Sequence, residues 1–176
     1  LAALSARSMT EDDVLREVFL SPLEPDVDRG RIRTPEFLRL LREQLQLQGS
    51  DEAIVTAWCD IFEPNEHLIA QLPGLRRMAG RLVLASNTND LHFQWIARQF
   101  AEPLAEFDAL VLSHEVGLRK PEPAFFLRCA EAAGVTASEC AFVDDKPQFV
   151  DAARALAMTG VVYVPGLDLV TALAQP

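Results

Sequence analysis

Apolar positions recur every three to four residues through the first third of the chain, then shift to short unbroken runs. Thr10, followed by Glu11, Asp12 and Asp13, has the form of a helix N-cap with an acidic first turn. Thr34-Pro35-Glu36 marks a second helix start, with proline at the first helical position. Phe37, Leu38, Leu41 and Leu45 then form one helical stripe. Ser50-Asp51-Glu52 opens a third helix carrying Ile54, Trp58 and Ile61. No convincing strand pattern falls within residues 1–66.

The period changes after Pro64. A helix is predicted over 66–78, stopped at Gly80. The apolar run 81–85 leads into Ser86, Asn87, Thr88 and Asn89, and a helix follows over 91–100. The run 109–112 ends at Ser113, with a helix over 123–133 stopped by Gly134. The run 140–143 ends at Asp144 and Asp145, with a helix over 150–157, and 161–164 is the last run. Four-residue apolar strands alternating with helices predict an α/β fold: a Rossmann-like parallel sheet covered by helices on both faces. Residues 67–176 are expected to form this core, and about residues 1–66 a small all-helical unit. There are no internal repeats. In parallel sheets, ligands bind beyond the carboxyl ends of the strands. Polar groups collect at those ends, so one site is built from several of them.

Charge narrows the partners. The chain has 176 residues, with 16 Lys and Arg against 26 Asp and Glu, a net charge of -10. This acidic balance argues against nucleic acid or an anionic membrane surface, which need a basic footprint. No apolar run approaches the roughly 20 residues that span a bilayer. Cys59, Cys129 and Cys140 are odd in number and show no CxxC spacing. That favours reduced thiols and a cytoplasmic location. His67, His92 and His114 show no metal-ligand spacing; His114 lies nearest a strand end and is a candidate to line a pocket. The sequence leaves the oligomeric state open.

Two adjacent carboxylates at the end of a buried strand repel one another; they either cap the following turn and helix or expect a cation. Three motifs stand in order: 84–89 (LASNTN), 113–126 (SHEVGLRKPEPAFF) and 142–145 (FVDD). Together they resemble the haloacid dehalogenase superfamily of hydrolases, in the helical-cap branch that includes sugar-phosphate phosphatases. The resemblance spans essentially the whole chain and is strongest from Pro64 to Pro165. It implies that Ser86 and Asn87 help to hold a phosphate, Ser86 through its hydroxyl. Lys120 would balance the phosphate's charge, with Pro121 fixing the chain behind it. Asp145 would be the direct ligand of Mg²⁺, a hard cation that prefers oxygen, with Asp144 acting through water. The implied substrate is a small phosphorylated metabolite, hydrolysed through an aspartyl-phosphate intermediate. Phe149 stands where such relatives usually carry asparagine, which alters the hydrogen bonding expected of that loop.

The superfamily's first motif, a strand ending in Asp-x-Asp that carries the nucleophile, is expected upstream of Leu1. The resemblance places that strand in the middle of the sheet. Asp26-Val27-Asp28 has the same spacing, but Pro22 and Pro25 precede it, so it is no central strand. It is expected in an acidic loop between two capped helices. Two other readings are a C–halogen hydrolase and a catalytically inactive relative that binds a phosphorylated ligand or a partner protein. Metal-independent halide release would favour the first of these.

Overall fold

The computed structural model describes residues 1–21 and 23–174. Its contacts group into two compact units. One comprises Leu1–Glu63, Thr88–Gln99 and Ser113–Gly117; the other comprises Pro64–Asn87, Phe100–Leu112 and Leu118–Pro176.

The first unit is helical. Helix Thr34–Leu45 starts with Pro35 in its first turn and stops at Gln46, whose φ of 50° is left-handed. Helix Asp51–Cys59 is capped by the Ser50 side chain, which accepts from the Ala53 N–H. The predicted stripe is the buried face: Phe37, Leu41, Leu45 and Ile54 are almost wholly removed from solvent. Ile61 is a correction. The helix ends at Cys59, and Ile61 lies beyond it, 54% exposed. Asp26-Val27-Asp28 is also corrected, because it lies within helix Leu23–Asp28 rather than in a loop. Val27 and Asp28 face inward there. Trp58 sits at the centre of the unit, stacked on Phe19 and His92 and met edge-on by Phe37.

The second unit carries the strands. Those among the described residues are β1 (Val83–Ser86), β2 (Ala109–Leu112), β3 (Ala141–Asp144) and β4 (Thr159–Val162). Pairing between these four strands is parallel, as predicted, but it forms two ladders rather than one continuous sheet. β1 pairs with β2, Ser86 opposite Leu112, and β3 pairs with β4, Asp144 opposite Val162.

Element boundaries moved for local reasons. The helix predicted over 66–78 is two helices, Glu66–Ile69 and Leu72–Met78. Pro73 lacks an N–H, so it suits a helix first turn and not an interior. The helix after β3 starts earlier than predicted, at Pro147, for the same reason. β4 starts at Thr159 rather than Val161. The Thr159 N–H donates to the Cys140 carbonyl, and the Tyr163 N–H to that of Asp144. Gly160 permits that early start: a Cβ there would lie 2.7 Å from side-chain carbons of Val150 and Arg154.

Packing behind the strands is mostly aromatic and aliphatic. Phe126, Phe142, Phe149, Val150 and Ala153 form one cluster, with Ala85 of β1 packed against it. Tyr163, Leu75 and Leu169 form a second, with Val143 and Val161 against it.

Candidate active site

Ser86 and Asn87 lie at the carboxyl end of β1, and Asp144 and Asp145 at that of β3. Lys120 connects the two. Its Nζ donates to the Ala85 carbonyl oxygen at 3.0 Å and to Asp144 Oδ2 at 2.6 Å. One ammonium therefore joins the ends of the two ladders. The pair is largely desolvated, with side-chain exposures of 10% for Lys120 and 8% for Asp144.

Two rings lie beneath the ammonium. Lys120 Nζ is 5.8 Å from the Phe142 centroid and 5.2 Å from that of Phe149. Both lie within the range of cation–π attraction. Phe149, which read in the sequence only as a lost asparagine, is a buried platform for Lys120. Its ring also lies 5.4 Å from Lys146 Nζ.

Asn87 holds the lysine from its backbone. Asn87 Nδ2 donates to the Lys120 carbonyl at 3.0 Å, and the Lys120 N–H donates to Asn87 Oδ1 at 2.8 Å. Both ends of the amide are engaged, so the Asn87 side chain positions Lys120 across 33 residues of sequence. Ser86 differs. It is half-buried at the strand end, and its hydroxyl has no hydrogen-bond partner among the described residues.

The two carboxylates are also unlike. Asp144 is spent: Oδ2 accepts from Lys120, and Oδ1 accepts from the Lys146 N–H at 2.9 Å. Asp145 is exposed, with no ion pair or hydrogen bond among the described residues. Both line a cavity of about 440 Å³ together with Asn65, Val143 and Tyr163. Tyr163 Oη donates toward Asn65 Oδ1 at 3.3 Å. No cluster of three His, Cys, Asp or Glu side chains suited to a metal occurs among the described residues. The donor set still suits a hard cation. Mg²⁺ is typically held by one or two carboxylates while keeping waters and taking substrate oxygens, and Asp145 offers free oxygens of that kind.

In the first unit, Thr88 and Ser113 lock to each other. The Thr88 N–H donates to Ser113 Oγ, and Ser113 Oγ–H donates to the Thr88 carbonyl, both at 2.9 Å. Ser113 is fully buried, so its hydroxyl is a structural clasp. His92 is buried against Trp58, and burial pushes its imidazole down to about 4. Its Nε2 lies 3.2 Å from the Trp58 carbonyl, which only accepts, so Nε2 carries the proton. Burial likewise pushes the Cys59 thiol up to about 11 and the Cys129 thiol up to about 12. These are protonated core groups rather than nucleophiles.

Known proteins are similar to this chain to differing extents. The chain is 26% identical over 159 residues to the sesquiterpene phosphatase of Aspergillus oryzae, covering 84% of this chain and 76% of that protein. It is 29% identical over 126 residues to a D-ribitol-5-phosphate phosphatase of Bacteroides thetaiotaomicron, covering 68% of this chain and 61% of that one. A crystal structure of a HAD family enzyme from Bacteroides thetaiotaomicron, complexed with magnesium and inorganic phosphate, superposes with a TM-score of 0.72. It is 28% identical, covering 85% of this chain and 78% of that one. No helix among the described residues is long and apolar enough to cross a membrane. Residues 16–156 match the haloacid dehalogenase-like hydrolases, and with two parallel ladders joined at their carboxyl ends by one lysine, the chain belongs to that family.

Proposed function

We propose that the full-length protein is a Mg²⁺-dependent phosphatase acting on a small phosphorylated metabolite. The observation that carries this reading is the charge arrangement at the strand ends. A fixed ammonium at Lys120 bonds Ala85 and Asp144, the residues that precede Ser86 and Asp145, whose hydroxyl and carboxylate have no partner among the described residues, all within one unit. Transfer of a phosphoryl group requires its spread negative charge to be neutralised by preset donors. Lys120 supplies such a donor without reorganising, because Asn87, Ala85, Asp144 and two rings already hold it.

In this reading Ser86 donates its hydroxyl proton to a phosphate oxygen, and Lys120 balances the charge. Asn87 acts through Lys120, by fixing its backbone. Asp145 would hold Mg²⁺, which supplies Lewis-acid neutralisation of the phosphoryl oxygens when bound. Asp144 keeps Lys120 oriented and reaches the cation side only through water. The family's chemistry calls for a nucleophilic aspartate, and this reading assigns that role to none of the residues described above. Residues 1–66 would supply the cap that the family resemblance implies. The three cysteines are free, which supports a reducing, cytoplasmic setting.

The two phosphatases among the relatives and the magnesium–phosphate complex of the structural neighbour support this reading. Hydrolysis of p-nitrophenyl phosphate by the full-length protein tests it. Turnover should require added Mg²⁺ and stop with EDTA. Turnover indifferent to EDTA, or no turnover at any Mg²⁺ concentration, refutes it.

A further inference from the structure

The ring of Phe149 carries two ammoniums. Lys120 Nζ lies 5.2 Å from its centroid and Lys146 Nζ 5.4 Å, both within the range of cation–π attraction. Phe149 is buried, so the ring is a fixed platform rather than a loose side chain. The asparagine that such relatives usually carry at this position has no π face to offer a cation. Phenylalanine there gives this chain a place to hold a second lysine.

The two lysines differ in what they are free to bind. Lys120 is paired with Asp144 at 2.6 Å and largely desolvated. Lys146 is exposed, and its ammonium has no ion pair or hydrogen bond among the described residues, not even with the adjacent Asp145. Its backbone is fixed, because its N–H donates to Asp144 Oδ1 at 2.9 Å and it caps the helix Pro147–Arg154. An unpaired ammonium is therefore held beside the strand end that carries Asp144 and Asp145, within the same unit as Lys120.

We infer that Lys146 is a second phosphate-binding cation of this site, with Phe149 as the residue that positions it. The inference rests on the phosphatase reading above. Charge is the reason a second cation is needed. Lys120 and Asp144 cancel each other, so without Lys146 the uncompensated charge is the carboxylate of Asp145, which repels an anion. Lys146 brings the four side chains to neutrality. A divalent cation at Asp145 then leaves a positive excess that matches a phosphate group, which carries about two negative charges near pH 7. A unit charge acting on a dianion across about 6 Å of water is worth about tenfold in affinity. Because Lys146 is exposed, its contribution is screened by salt, unlike that of the desolvated Lys120.

Calorimetric titration of the full-length protein with inorganic phosphate, at saturating Mg²⁺ and low salt, tests this. Lys146→Met should weaken phosphate binding by about tenfold, and Lys146→Arg should keep most of it. The loss should shrink to about twofold or less at 1 M salt. Mg²⁺ affinity measured without phosphate should not fall in Lys146→Met, because removing a like charge favours the cation. In a Phe149→Leu background, which lacks the ring, Lys146→Met should cost about two- to fivefold less than in the wild type. Equal phosphate binding by wild type and Lys146→Met, or no binding by wild type, overturns the inference. So does a Mg²⁺ affinity that falls in step with the phosphate affinity, which would mark a damaged fold. An equal cost of Lys146→Met in both backgrounds overturns the role given to Phe149. If no ester is hydrolysed, the phosphatase reading fails, and the phosphate titration still decides Lys146.

Discussion

Replacing Lys120 with methionine keeps most of the side-chain volume and removes the charge together with its N–H donors. It leaves Asp144, with its side chain 8% exposed, without its partner, and the Ala85 carbonyl without its donor. Removing one member of a buried pair costs about 3–5 kcal/mol, most of it for stranding the remaining charge. The Lys146 N–H still bonds Asp144, so a loss of about 3–4 kcal/mol is expected. Asp144→Asn should cost less, about 2 kcal/mol, because two rings and the Ala85 carbonyl still face the ammonium. The double variant strands no charge and should lie about 1–2 kcal/mol below wild type, a coupling of roughly 3–5 kcal/mol. Urea denaturation of the full-length protein at pH 7, with a common m value, measures all four corners. The coupling should persist at 1 M salt, because a desolvated pair is poorly screened. A Lys120→Met cost below about 1 kcal/mol, or a double variant equal to the sum of the singles, would refute the claim that this pair joins the two ladders.

Acid should weaken the helical unit through His92. Its folded value of about 4 lies below the ordinary 6.5, so the unfolded chain takes up the proton first. Stability is then complete above pH 6.5 and falls by up to about 3 kcal/mol as the pH drops to 4. Urea titrations across that range should show this slope, and His92→Phe should flatten it. Ser86→Ala should leave stability within about 0.5 kcal/mol, since the hydroxyl bonds nothing among the described residues. The same change should cut kcat/KM for aryl phosphate by about tenfold or more; a large stability loss with unchanged kinetics would make Ser86 structural.

The strand–helix alternation and the polar strand ends could be read directly, because period and capping are local properties. Pro73 and Pro147 carried the signals for the moved helix boundaries, each marking a first turn. What the sequence did not reveal depends on residues far apart in the chain. The Asn87 amide spends both ends on the backbone of Lys120, which no local pattern announces. Phe149 looked like a damaged motif, yet its ring supports the ammonium once the helix Pro147–Arg154 is folded. The resemblance already gave the adjacent acids different roles, but no local pattern announces that Lys120 and the Lys146 N–H reach only Asp144. Asp26-Val27-Asp28 read as a loop because of its acids and the following glycine. Leu23 and Val27, four residues apart, instead give that segment a helical face toward the core.

The central claim is that Asp145 is the carboxylate that holds the divalent cation. Calorimetric titration of the full-length protein with Mg²⁺, comparing wild type with Asp145→Asn, tests it without requiring turnover. The account predicts saturable wild-type binding, weakened by about tenfold or more in the variant. Equal Mg²⁺ affinity in the two proteins would contradict it.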